Sequence, residues 1–211
     1  MVFHKKTVRD VPIDNLTVLV RTNFDSPLDE TGKLVDDLWI RASLSTIDHL
    51  LSRGCKVVVI SHHGKPIGRD ARYSLEPAAS RLAQLLRRDV RFVSDIIGDR
   101  VLQAVKQAPK NSITVLENLR FHPGEMANNA DFARSLVHST GARYFVQDGF
   151  VVSRAKHAST HAITDFIPSV AGLALEADFY AFLRAMQRAG IKGCIKSPGI
   201  EVLLDDRRYI R

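Results

Sequence analysis

The chain has 211 residues, 45% of them hydrophobic and 25% charged, which suits one ordinary domain with a sizeable core. No apolar run approaches the ~18–20 residues that cross a bilayer, and the opening Met1–Lys6 lacks the apolar stretch of a secretory signal. Two widely separated cysteines, Cys55 and Cys194, show no metal-type spacing, so a reducing cytoplasmic setting is expected. The formal charge of +7 suits phosphorylated metabolites, nucleic acid or an acidic protein surface, or else marks a solvated basic face. No RNP-type motif or interleaved basic–aromatic stretch turns that charge toward nucleic acid.

In chain order, apolar β-branched runs predict buried strands at Leu16–Val20, Lys56–Ser61, Val90–Val93, Ser112–Glu117 and Arg143–Gln147. Between them lie helical patterns. Asp37–Arg53 places Ile40, Leu44, Ile47, Leu50 and Leu51 on one face, and Gly54 punctuates its end. Ser74 is placed to cap the next helix, with Pro77 tolerable in its first turn and Leu82, Leu85 and Leu86 as its buried stripe. Asp95–Ala108 and Asn129–Thr140 follow. Residues 143–173 are less regular and are interrupted by Pro168. A final helix is expected over Ala174–Arg188, striped by Leu175, Phe179, Phe182, Leu183 and Met186, and then a turn-rich tail. Strands alternating with helices define an α/β fold: a Rossmann-like three-layer sandwich around a parallel sheet.

Polar groups follow four of the strands: Arg21-Thr22-Asn23-Phe24-Asp25, Ser61-His62-His63-Gly64-Lys65-Pro66, Asn118–His122 and Gln147-Asp148-Gly149. A parallel sheet brings such strand ends to one edge, where open α/β folds bind ligands. Arg21, His62, Lys65 and Arg120 would there form a basic pocket for phosphate or carboxylate. Each also has a plainer role, as a surface arginine or a loop-capping histidine. No cysteine or carboxylate sits at ligand spacing beside His62-His63, so a metal is not expected.

Several of these segments resemble phosphoglycerate kinases, specifically their N-terminal domain, over roughly residues 4–190. The matching stretches are Lys5–Val11, Val18–Arg21, Ser61–Pro66, Leu116–Glu125 (Leu-Glu-Asn-Leu-Arg-Phe-His-Pro-Gly-Glu) and Lys156–Thr160. Ile167–Gly172 fits the stretch that leads to the family's interdomain helix. The resemblance divides the chain into an N-terminal-type domain (1–173), the helix matching the interdomain helix (174–190) and a novel tail (191–211). It implies that the domain binds 3-phosphoglycerate through a basic patch while a separate C-terminal domain binds MgATP.

Carried over by position, Arg21, His62 and Arg120 match the family's substrate-binding residues, and Lys65 stands where an arginine is usual. Asn23 and Asp25 occupy positions that the family fills with aspartate and asparagine, so acid and amide have traded places. Trp39 stands where the family has its transition-state arginine. The place of another substrate-binding arginine is taken by Ala155, flanked by Arg154 and Lys156. The family continues into Gly-Gly-Ala-Lys and Gly-Gly-Gly-Asp segments that hold nucleotide phosphate, and neither appears here. No ATP or magnesium site is therefore expected.

These features lead to the expectation of a non-catalytic relative acting as a binding or structural subunit of a larger assembly. The final helix and tail are its expected contact surface, with apolar area exposed around Phe179, Phe182 and Met186. Two alternatives stand beside it. One is phosphoglycerate kinase activity together with a separate nucleotide-binding chain, and the other is a sensor for a 3-phosphoglycerate-like anion.

Overall fold

The computed structural model describes residues 5–190, together with the backbone of Cys194–Ser197 and Ile200–Leu203. The chain forms β1 (Thr17–Arg21), α1 (Leu38–Ala42), α2 (Leu44–Ser52), β2 (Lys56–Ile60), α3 (Glu76–Leu86), β3 (Val90–Val93) and α4 (Asp99–Gln107). It continues through β4 (Ile113–Leu116), α5 (Pro123–Met126), α6 (Ala130–Thr140), β5 (Tyr144–Gln147), β6 (Ser169–Ala171) and α7 (Leu173–Arg188). Beyond these, β7 (Cys194–Ser197) and β8 (Ile200–Leu203) pair as an antiparallel hairpin.

The first six strands make one parallel sheet in the order β3-β4-β2-β1-β5-β6. Both faces are covered, so the central strands carry continuous apolar runs such as Val18–Val20 and Val57–Ile60 rather than alternating ones. The period of two decides which layer each side chain enters. Val18, Val20, Val57 and Val59 pack with Ile47, Leu50, Ala79 and Leu82 of α2 and α3. Leu19, Val58 and Ile60 point the other way, into Val101, Val105, Phe132 and Leu136 of α4 and α6. The result is a three-layer α/β sandwich.

Three local expectations need correction. Asp37–Arg53 is two helices, because the Ser43 hydroxyl and backbone N–H both donate to the Ile40 carbonyl and break the ladder there. The helix expected from Asp95 begins only at Asp99. Gly98, at φ 97°, precedes it in a conformation that no helix contains. Ile96 and Ile97 nevertheless pack against the second core layer. Ser74 caps α3 from one residue further out: its Oγ accepts from the Glu76 N–H, while Leu75 occupies the cap position.

Other expectations hold. Asn129 accepts from the Phe132 N–H at the start of α6, and Gly54 closes α2 at φ 76°. The edge strand β6 has no strong signal of its own. It is three residues long, follows Pro168, and is extended by backbone bonds from Val8 to Ala171 and from Ala171 to Lys6.

The final helix buries Phe179 and Leu183, leaving Phe182 at the surface and Met186 half-buried. Of the apolar area expected around it, Phe179 therefore belongs to the interior. The tail end Asp205–Arg211 lies outside the described residues. Among the described residues no helix is long and apolar enough to cross a membrane.

Candidate functional site

The carboxyl ends of β1, β2, β4 and β5 converge on one edge, and the residues that follow them build two adjoining clusters. The first is centred on Arg21, the last residue of β1. Its side chain is wholly enclosed. Nε donates to Ser159 Oγ at 2.8 Å, one terminal nitrogen donates to the Thr22 carbonyl at 2.6 Å, and the other lies 3.2 Å from His62 Nδ1. That last nitrogen is also 3.8 Å from Glu125 Oε1, a carboxylate with no exposed surface. Ser159 ties the pair together, since its hydroxyl and its N–H both donate to Glu125, at 2.6 and 3.0 Å.

Beyond His62 the chain of contacts reaches Asp25. Its carboxylate accepts the Gly64 N–H at 2.7 Å and lies 3.5 Å from His62 Nε2 and 3.5 Å from His63 Nδ1. Arg120 joins from the turn after β4, donating to the Gly64 carbonyl at 2.5 Å, with its Nε buried and without a partner among the described residues. Gly64, at φ 59°, lets the backbone turn so that its N–H meets Asp25 and its carbonyl meets Arg120.

Electrostatics fix the protonation pattern. Burial pushes the Arg21 pKa down to about 10, which leaves the guanidinium charged at neutral pH. Burial also takes His62 down to about 4, against the opposing pull of Asp25, so the ring is neutral. With Arg21 donating to Nδ1, the proton resides on Nε2, facing Asp25. Hydrogen bonds from His62, His63 and the Gly64 N–H hold Asp25 far below the usual carboxylate range. Two guanidinium charges are thus matched by two carboxylates. The basic pocket expected from sequence is internally neutralised, and Arg21 in particular is a partnered interior group rather than an open fork.

The second cluster is a cleft lined by Asn23, Trp39, Asp148, Phe150 and Asp178. Asp148 Oδ1 accepts from Thr46 Oγ1 at 2.6 Å and from the Ala174 N–H at 3.1 Å, so it caps α7 from a different part of the chain. Thr46 Oγ1 in turn accepts from the Leu173 N–H at 2.8 Å. Burial raises the Asp148 pKa to about 7. Gly172 is required by this packing, because a Cβ there would sit 1.8 Å from Asp148 Oδ1.

Of the residues expected in the site, Arg21, Asp25, His62 and Arg120 come together. Asn23 lies instead in the second cleft, with Trp39. Lys65 and Arg154 are exposed, as is Lys156, and Ala155 is half-buried. From sequence, Glu125, Ser159 and Thr46 have no place in the site, and Asp148 stands at the polar edge without a role. Glu125 and Ser159 lie inside conspicuous segments, but nothing local marks either as the partner of Arg21.

The sheet order and the polar carboxyl edge define an α/β domain built around a parallel sheet. The family model for phosphoglycerate kinase matches residues 8–192. A phosphoglycerate kinase of Aquifex aeolicus is 42% identical over 183 residues, 86% of this chain and 46% of that protein. One from Coprothermobacter proteolyticus is 44% identical over 172 residues, covering 81% and 43%. Among solved structures, phosphoglycerate kinase from Pyrococcus horikoshii superposes with a TM-score of 0.77 at 29% identity, over 85% of this chain and 45% of that one. The chain belongs to the phosphoglycerate kinase family. It corresponds to the family's N-terminal domain and spans about half the length of the curated relatives it matches.

Proposed function

We propose that this chain is a non-catalytic phosphoglycerate kinase-like protein that serves as a binding or structural subunit of a larger assembly. The observation that carries this is Trp39. It lines the cleft beside Asn23 and Asp148, at the position where resemblance to the family calls for the transition-state arginine. An indole has one N–H and no charge. Phosphoryl transfer depends on positive charge placed at the moving group, and loss of such an arginine costs on the order of 10³–10⁵ in rate.

The neutralised cluster supports the same conclusion. A phosphorylated ligand would have to displace or repel Asp25 to reach Arg21 and His62. The assignment places no ATP or magnesium on these residues, and it suits a cytoplasmic setting. For the subunit role, the support is exposed apolar side chains: Leu38 precedes the cleft residue Trp39 in the chain, Val151 follows the cleft residue Phe150, and Phe182 touches Phe150 with ring centroids 5.8 Å apart.

The test is the native mass of the complex isolated from its own cell, read by light scattering. A particle well above the 23.5 kDa of one chain is expected. A monodisperse monomer overturns the subunit role. Arg120, whose buried Nε has no partner among the described residues, favours one second reading, a sensor for a 3-phosphoglycerate-like anion. Kinase activity together with a nucleotide-binding chain is the remaining alternative, and turnover only when that chain is added would establish it.

A further inference from the structure

The cleft between α1 and α7 has an unusual inventory. Asn23 Oδ1 and Asp148 Oδ2 are both buried, and neither has a hydrogen-bond partner among the described residues. Asn23 is 8% exposed and Asp148 3%, so bulk water does not serve them. A buried acceptor left unmatched costs about 1–3 kcal/mol. The half-buried Asp178 carboxylate lines the same cleft together with Trp39 and Phe150, and no basic residue among the described ones lines it. The cavity measures about 10 Å³, room for one water-sized group.

These features specify an occupant. It must donate hydrogen bonds, because Asn23 Oδ1 and the ionised form of Asp148 Oδ2 are both acceptors. A positive charge is favoured by two carboxylates and two aromatic rings. Its size excludes a trimethylammonium or a guanidinium group. A primary ammonium meets each condition, with three N–H donors and no acceptor. The desolvation it suffers on entry is offset by pairing with ionised Asp148, as buried charges require.

We propose that this cleft binds a single primary ammonium group, held by Asn23 Oδ1, Asp148 Oδ2 and the Asp178 carboxylate, with Trp39 and Phe150 also lining the cleft. The site is separate from the Arg21 cluster and does not depend on the non-catalytic assignment. The ammonium comes either from a lysine side chain of another protein or from a free small amine, and the chemistry is the same for both.

Trp39 is the only tryptophan in the chain and lies in the cleft, so its fluorescence reports occupancy directly. The full chain is titrated with methylammonium chloride, and separately with sodium chloride and tetramethylammonium chloride at equal ionic strength. A saturable change in Trp39 emission is expected with methylammonium alone. Nα-acetyllysine amide carries the same head on a four-carbon arm. Tighter saturation by it than by methylammonium assigns the site to a lysine side chain, and the reverse order assigns it to a free amine.

Asp148→Asn is expected to weaken the response about tenfold, the effect of losing one charge-assisted bond. Because Asp148 also caps α7, Asp178→Asn on the outer side is measured in parallel, with an expected weakening of similar size. Superimposable curves for all salts would overturn the proposal, leaving the unmatched oxygens to a water or to the Asp148 carboxyl proton. An unchanged methylammonium response in Asp178→Asn and Asp148→Asn would overturn it as well.

Discussion

Arg21 and Glu125 face each other at 3.8 Å with neither side chain exposed at all, and Ser159 bridges them. Removing one member of such a pair leaves the other as an uncompensated interior charge. That penalty exceeds whatever the intact pair contributes.

Arg21→Met should therefore destabilise the fold by roughly 3–5 kcal/mol, measured by urea denaturation. Glu125→Gln in the Arg21→Met background should restore part of the loss. If the two effects simply add, the charges are not coupled.

Asp148 provides a pH test with a definite sign. Its folded-state pKa is raised from 3.8 to about 7, so the folded protein holds a proton that the unfolded chain releases. Stability from this group is therefore greatest below the unfolded pKa and falls as pH rises toward 7. The full loss is on the order of 4 kcal/mol. Asn keeps the oxygen that caps α7 but carries no charge. Asp148→Asn should thus be more stable than the parent at pH 8, with the gain shrinking toward pH 5 in denaturation midpoints. A gain that does not vary with pH would rule out the buried titration.

His62 carries the opposite sign. With its pKa lowered to about 4 by burial, the folded state resists a proton that the unfolded chain takes up from pH 6.5 downward. Its contribution is lost as pH falls between those values. The His62 ring protons followed by NMR should show no titration above pH 6, and a midpoint near 6.5 would mean that the cluster is open to solvent.

Asp25→Asn removes one of the two carboxylates that balance Arg21 and Arg120. Affinity for 3-phosphoglycerate, read by calorimetry, should rise at least about tenfold, as expected when a like charge leaves an anion site. Equal affinity in the two proteins would show that Asp25 does not guard the pocket.

Gly172→Ala drives a methyl group into Asp148. Overpacking of this kind costs about 1–3 kcal/mol, visible as a lower thermal midpoint. Asp148→Ala should relieve that part of the loss when the two changes are combined.

The architecture was legible because each central strand is a short β-branched run and each helix carries one apolar face. What escaped notice depended on contacts distant in sequence or on single backbone angles. The Ser43 break arises from a hydroxyl turned back on its own helix, and the late start of α4 from the φ of Gly98. At the site, the polar strand ends identified the correct edge but not the burial of Arg21. Its partners Ser159 and Glu125 come from segments 138 and 104 residues away by number, and no local pattern announces such ties. Asn23 and Asp25 are two positions apart in the chain, yet they serve different clusters. Trp39 and Ala155 gained meaning only through resemblance to a family, since nothing in an isolated tryptophan or alanine indicates a replaced arginine.

The most direct test is transfer of labelled γ-phosphate from MgATP to 3-phosphoglycerate by the purified 211-residue chain, with a phosphoglycerate kinase as positive control. No labelled product above the protein-free blank is expected, from the parent chain or from Trp39→Arg. Sustained transfer by the parent chain alone would contradict the account.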